Sequence, residues 1–297
     1  MSAPVGETAA LTAALFWALS STLFTLASRA TNPYIVNRLR LIGALVLVGG
    51  LHTVLIGAPL PKGASTYQWL VLGLSAIIGL VIGDSFLLMA YVKIGPRLSM
   101  LLMSMVPIVT TGAAWVLFGE HLSALKLAGI AVTISGVSWV VLEKGRKGAP
   151  FKVTRLGLFF GIGAMLGQAI GLVLSKEGMR GGLPPITATY IRTIWGVSSI
   201  WIATFTISRA RSTFGTLRSG KKTAYILLAT VFGPFLGIYA SLVAIDRAPV
   251  GIASTLMALA PLFIIPIAHF VFGDRVTWRA VLGTVIALVG VSVLFLF

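Results

Sequence analysis

The sequence predicts an all-α membrane protein, with ten transmembrane helices in two inverted five-helix repeats around a central cavity. Three observations predict it. The 297 residues are 57% hydrophobic and only 10% charged, with a mean hydropathy of +1.00. That leaves too little polar surface to cover a globule in water, where about 25% of residues are usually charged. Apolar runs of about 20 residues, long enough to cross a hydrocarbon core, recur along the whole chain. Finally, the stretch Gly79–Leu142 is written twice. Shifting the numbering by 154 brings Gly83 onto Gly237, Ala90 onto Ala244, Leu102-Met103 onto Leu256-Met257 and Pro107 onto Pro261. The same shift brings Phe118-Gly119 onto Phe272-Gly273, Glu120 onto Asp274, Gly129 onto Gly283 and Gly136-Val137-Ser138 onto Gly290-Val291-Ser292.

The spans are expected near residues 8–28, 34–56, 67–92, 97–118 and 123–142, then 155–175, 185–207, 223–245, 250–272 and 277–297. Backbone groups in lipid must be satisfied internally, so these runs are helices. The start, MSAPVGETAA, lacks the basic region of a signal peptide, and Leu11–Ser28 reads as a retained first span. The basic connector 143–154 (EKGRKGAPFKVT) separates a first repeat, 1–142, from a second, 155–297. Five spans per repeat is an odd number, so the second copy enters from the opposite face.

The net charge of +16 would suggest nucleic acid as a partner, but the basic residues sit in short connectors between apolar runs. There they set orientation. Connectors after spans 1, 3, 5, 7 and 9 carry most of the 23 Lys and Arg. The other side holds Lys62, Lys126, Lys176, Arg180 and Arg247, with Arg192 left inside a span. The positive-inside rule then puts the odd connectors in the cytoplasm and both termini outside.

Gly119-Glu120-His121-Leu122-Ser123 and Gly273-Asp274-Arg275-Val276-Thr277 each read as a C-cap followed by an N-cap, a tight helical hairpin. Glu120 and Asp274 there are helix-end caps, or gates. Pro107 and Pro261 fall near the middle of spans 4 and 9 and are expected to kink them, either for packing or to open space at the midplane. Pro266 adds a break to span 9 alone.

Asp84 is the only carboxylate well inside a span, which makes it a functional-site hypothesis. It lies about 10 Å from the end of span 3, and Arg38 and Arg40 lie about 6–9 Å into span 2 from the same side. A buried charge pair of Asp84 with Arg38 or Arg40 either ties the two spans together or leaves Asp84 to bind a substrate amine or a coupling proton. Its counterpart is Ile238, so that role belongs to one half. Arg192 aligns with Arg38 and either pairs with Asp246 or snorkels to the interface. Gln168, within the glycine-rich GIGAMLGQAIG, serves helix packing or a hydrogen bond to substrate. Trp17, Met103, Tyr239 and Met257 sit beside small or polar residues, as an apolar pocket requires, or simply pack between helices. His52, His121 and His269 are scattered near span ends, with no metal-ligand spacing, and no cysteine is present. No metal and no cofactor is expected.

With the repeats and kinks in hand, the chain resembles the drug/metabolite transporter (DMT) superfamily, specifically the EamA-type ten-helix transporters. The resemblance rests on Pro107…Phe118-Gly119-Glu120…Ser123…Gly129…Gly136 and its copy Pro261…Phe272-Gly273-Asp274…Thr277…Gly283…Gly290. The span 1 and span 6 patterns AALFWALSSTLF and GIGAMLGQAIGLVLSK, and the Arg near the start of spans 2 and 7, also fit it. It implies a central cavity that would include Trp17, Ser21, Asp84, Met103, Pro107, Gln168, Tyr239, Met257 and Pro261. Family members are often drawn with cytoplasmic termini, against the charge count here.

The function expected is a secondary transporter in the plasma (inner) membrane, exporting amino acids or related small metabolites by alternating access. A monomer would suffice, with a proton as the coupling ion. No Gly-x-x-x-x-Gly-Lys-Ser/Thr sequence is present to couple ATP. The alternatives are a flippase for lipids or lipid-linked sugars within the same superfamily, and a membrane-embedded enzyme. The latter needs convergent catalytic groups that one buried Asp and three dispersed His do not supply.

Overall fold

A computed structural model describes residues 5–28, 33–143, 154–206, 220–272 and 277–296, and its regular structure is entirely helical. In the first half lie α1 (Val5–Ser28), α2 (Pro33–Ile56), α3 (Thr66–Ala76), a π-helical segment (Ile77–Gly83), α4 (Asp84–Met103), α5 (Val106–Phe118) and α6 (Ala124–Glu143). In the second lie α7 (Arg155–Gly178), α8 (Pro185–Thr206), α9 (Gly220–Thr230), a π-helical segment (Val231–Gly237), α10 (Ile238–Arg247), α11 (Val250–Met257), α12 (Ala260–Phe272) and α13 (Trp278–Leu296). Among the described residues, eight helical stretches are long and apolar enough to cross a membrane. Large apolar side chains such as Val54, Val116 and Phe270 face outward, as lipid-facing residues do.

Local chemistry fixes the helix ends. Ser65 and Gln68 form a reciprocal capping box at the start of α3. Thr154 caps α7 by accepting from Gly157 N–H at 3.1 Å. Gly119, at φ 63°, closes α5 in the left-handed conformation that glycine adopts without a Cβ clash. Ser123 Oγ then accepts from Lys126 N–H at 3.3 Å, which opens α6. The matching hairpin around Asp274 lies outside the described residues.

In lipid, helices associate through close packing more than through the hydrophobic effect, so glycines mark the contacts. The run from α3 through α4 lies antiparallel on α7, with Leu72 against Gly178, Ser75 against Ser175, Gly79 against Gly171, Gly83 against Gly167 and Phe86 against Gly163. A Cβ on Gly167 would stand 2.9 Å from Gly83 Cα, and one on Gly171 would stand 3.1 Å from Gly79 Cα. Ser75 Oγ donates to Gly171 O at 2.7 Å across this contact. The second half repeats the device with α1, whose Ser20 Oγ donates to Ala229 O at 2.9 Å and whose Trp17 seats on Gly237. The glycines shared by α6 and α13 meet one another. A Cβ on Gly136 would press on Ala287 N and come within 2.7 Å of Gly283 O. One on Gly290 would lie 2.5 Å from Thr133 N and 2.7 Å from Gly129 O.

Three local expectations change. Spans 3 and 8 are not uninterrupted α-helices, because each holds a seven-residue π-helical segment, Ile77–Gly83 and Val231–Gly237, at the same place under the 154 shift. The connector expected between 92 and 97 stays helical within α4. Ile94 meets both Gly157 and Gly161 of α7, and Leu102 also meets Gly161.

The third change concerns Pro107 and Pro261, which do not kink a continuous helix. Each span is broken two residues before the proline, at Ser104-Met105 and at Ala258-Leu259, and the proline sits in the first turn of the new helix. There its missing N–H leaves no hydrogen bond unmade and its fixed φ suits the helix start. Tight three-residue bonds hold each break. Met105 N–H donates to Leu102 O and Ile108 N–H to Met105 O, and likewise Leu259 N–H to Leu256 O and Leu262 N–H to Leu259 O. Pro266 does lie inside α12.

Candidate functional site

The broken spans cross. Helix α5 packs on α11, where Thr110 Oγ1 and Ser254 Oγ, both buried, share a hydrogen bond of 2.6 Å and Gly251 admits the Thr111 side chain. The break in the first copy lies 13 residues, about 20 Å, before the Phe118 end, and that in the second lies about 12 Å after Val250. The two breaks therefore flank the middle of the bundle. Met103 ends α4 and Met257 ends α11, so the two methionines occupy the last turns before the breaks. Met103 is half-buried against the main core, and Met257 is fully buried within it. Pro107 is buried and Pro261 half-buried.

A second group surrounds the polar centre. Arg40 Nη2 pairs with Asp84 Oδ2, and Arg40 Nε donates to Asn37 Oδ1 at 2.7 Å. Phe24 lies under the Arg40 guanidinium, 5.4 Å from ring centre to Cζ. Arg38 is buried, on a different side of α2. Arg192 does not pair with Asp246, which instead holds its neighbour Arg247 at 3.1 Å. Nor does Arg192 snorkel to the interface. Its side chain is 4% exposed, and its guanidinium lies over Gly79.

The remaining cavity candidates are distributed around these two centres. Trp17 is half-buried on the second π-helical segment, and Ser21 Oγ donates back to Ala18 O within α1 at 2.9 Å. Tyr239 packs against Val48, Ile186 and Tyr190, a cluster between α2, α8 and α10. Gln168 is half-buried on α7 beside Gly167. His52 is a satisfied core histidine, with Nδ1 2.9 Å from Ala58 O and Nε2 3.2 Å from Thr187 Oγ1. His121 accepts from Trp115 Nε1 at 3.1 Å, and the His269 side chain lies outside the described residues.

Reading the sequence missed a contact between the halves. Glu120 Oε1 accepts from Lys176 Nζ at 2.6 Å, and Glu120 Oε2 accepts from Val250 N–H, the first residue of α11, at 2.9 Å. Lys176 also reaches Ala248 O at 3.4 Å. One carboxylate thus joins the α5–α6 hairpin to the end of α7 and the start of α11. Asp246 and Arg180 line the open cleft of about 280 Å³ beside it. The only signal in the sequence was the acid that recurs after Phe-Gly in both copies. Glu120→Gln is expected to loosen this closure by about 1 kcal/mol, since both groups keep some exposure. Because the chain has no cysteine, Met257→Cys can be labelled alone. Its reaction with a maleimide should quicken about fivefold in the Glu120→Gln background, and an equal rate would mean that the contact closes nothing.

The profile of the EamA-like transporter family matches residues 4–142 and again residues 155–296. No curated protein matches the chain. A solved structure described only as a crystal structure of a protein is 16% identical, with 97% of this chain and 95% of that chain covered at a TM-score of 0.79. That similarity is one of fold.

Proposed function

The chain belongs to the EamA-like transporter family, and from that premise we propose that it is a ten-span secondary transporter exporting amino acids or related small metabolites by alternating access. In this reading α8 and α13 complete the ten spans. The two family repeats enter from opposite faces, with the basic connectors in the cytoplasm and both termini outside. Trp17, Ser21, Met103, Pro107, Gln168, Tyr239, Met257 and Pro261 line the path, and Asp84 faces the substrate amine or a coupling proton.

The observation that carries the reading is the pair of breaks at Ser104-Met105 and Ala258-Leu259, at equivalent places in the two copies. A broken helix inside a membrane leaves backbone groups unpaired unless protein or a cavity receives them, and transporters place their substrates there. The Glu120–Lys176 contact supports a closure on one face only, as one state of an alternating cycle would have.

Counterflow in proteoliposomes tests this. Vesicles preloaded with an amino-acid mixture are expected to take up labelled amino acid against its gradient, faster when a pH gradient is imposed. Failure with amino acids and with polyamines alike would sink the export reading. Reporter fusions at each terminus test orientation separately, and a cytoplasmic signal from either end overturns the charge count.

A further inference from the structure

Several buried donors within the bundle lack an acceptor. Arg192 is 4% exposed and Asn37 is fully buried, yet Arg192 Nε and Asn37 Nδ2 have no hydrogen-bond partner among the described residues. Trp195 Nε1, one turn along α8 from Arg192, is likewise buried without a partner. All three are N–H groups; Arg192 and Trp195 share α8, while Asn37 lies near the start of α2, level with the far end of α8. The nearby carboxylate, Asp84, is held by Arg40. Among the described residues, no carboxylate lies within ion-pair distance of Arg192. A buried donor left unmade costs the full desolvation of that group, and a guanidinium inside the hydrocarbon costs more still. What the arrangement lacks is an acceptor that carries negative charge.

We infer that Arg192 receives the carboxylate of the transported molecule. A guanidinium presents parallel N–H groups that match a carboxylate in a fork. A lipid headgroup does not fit the position. Gly79, under the guanidinium, lies 13 residues, about 20 Å, from the start of α3, deep in the hydrocarbon region. The two copies differ at the sites concerned. Arg192, in the second copy, is matched by Arg38 in the first, whereas Asp84 is matched by Ile238, so the acid has no counterpart in the other half. The inference rests on the transport reading for the ligand being an amino acid, and its test measures binding rather than transport.

The full chain, purified in detergent, is assayed for equilibrium binding of a radiolabelled mixture of the proteinogenic L-amino acids. Unlabelled acids should displace the label, and the corresponding amino-acid amides should do so about tenfold less well or worse, because they leave the guanidinium without its anion. Arg192→Met should weaken binding about tenfold or more while the melting temperature of the empty protein stays level or rises, since an unpaired charge has been removed. Arg192→Lys, which keeps the charge but not the fork, should fall between, and it carries the test if the methionine variant does not fold. Amides competing as well as acids, unchanged binding in either variant, a lower melting temperature for Arg192→Met, or no binding by the wild type would each overturn the inference. Counterflow of a polyamine by a protein that binds no amino acid would still leave the transport reading standing.

Discussion

Asp84→Ala is expected to cost about 3–5 kcal/mol of stability, the largest effect of any single polar substitution in this chain. The Asp84 and Arg40 side chains keep only 20% and 15% of their exposure, and removing the carboxylate leaves the Arg40 guanidinium with Asn37 Oδ1 but no counter-charge. Arg40→Met removes the opposite member and should cost a similar amount. The double variant Asp84→Leu/Arg40→Met should regain most of the loss, because an apolar pair replaces two charges in an apolar setting. Thermal unfolding of the four proteins in one detergent gives the comparison. Single variants within about 0.5 kcal/mol of wild type would mean that the pair contributes no more than a surface ion pair. Transport adds a second readout. Asp84→Asn preserves the shape of the side chain and removes its charge, and transport with unchanged rate and pH dependence would end the proposal that Asp84 takes the coupling proton.

Gly136→Val is expected to be as damaging, by about 3 kcal/mol or more, for a reason that involves no charge. Its Cβ would meet Ala287 N and Gly283 O, which are backbone atoms and cannot turn aside. Helices α6 and α13 would have to separate along their length. Gly290→Val should behave as its twin, since its Cβ would press on Thr133 N and Gly129 O. Gly112 supplies the control. Nothing lies within 4 Å of a Cβ there, so Gly112→Ala should be neutral or should stabilise α5 by up to about 1 kcal/mol through helix propensity. Equal yield and melting temperature for all three would show that the contact between α6 and α13 is loose.

How much of this was legible in the sequence depends on what each feature is made of. Spans are a matter of length and hydropathy, so their approximate positions could be read directly. The recurring glycines at 83, 129 and 136 and their copies could be read as close contacts, though not as contacts with one another. The π-helical segments left no hydropathy signal, because a one-residue change in hydrogen-bond spacing alters no side chain. The Gly79/Gly233 and Gly83/Gly237 pairs were their only trace.

The ion pair was narrowed to Arg38 or Arg40 by depth alone. Depth cannot separate residues two apart, which point about 200° away from each other around a helix. For Arg192, membrane side allows Asp246 as a partner or an escape to the interface, but side says nothing of direction along the bundle. Its chain runs inward to the space over Gly79, while Asp246 turns to Arg247. The prolines were visible as residues and misjudged as geometry, since a proline within a span marks a helix start as readily as a bend.

The glycine seam between α6 and α13 has a property that single contacts do not show. Gly136 meets Gly283, and Gly290, the copy of Gly136, meets Gly129, the original of Gly283. Residue i touches the copy of j, and residue j touches the copy of i, which is the signature of an isologous two-fold interface. A surface of that kind is complementary to itself. A single repeat carrying it could therefore join a second, identical repeat across the two-fold axis. Within one chain the halves need not stay alike, and here the seam keeps its symmetry while Asp84 in one copy stands against Ile238 in the other.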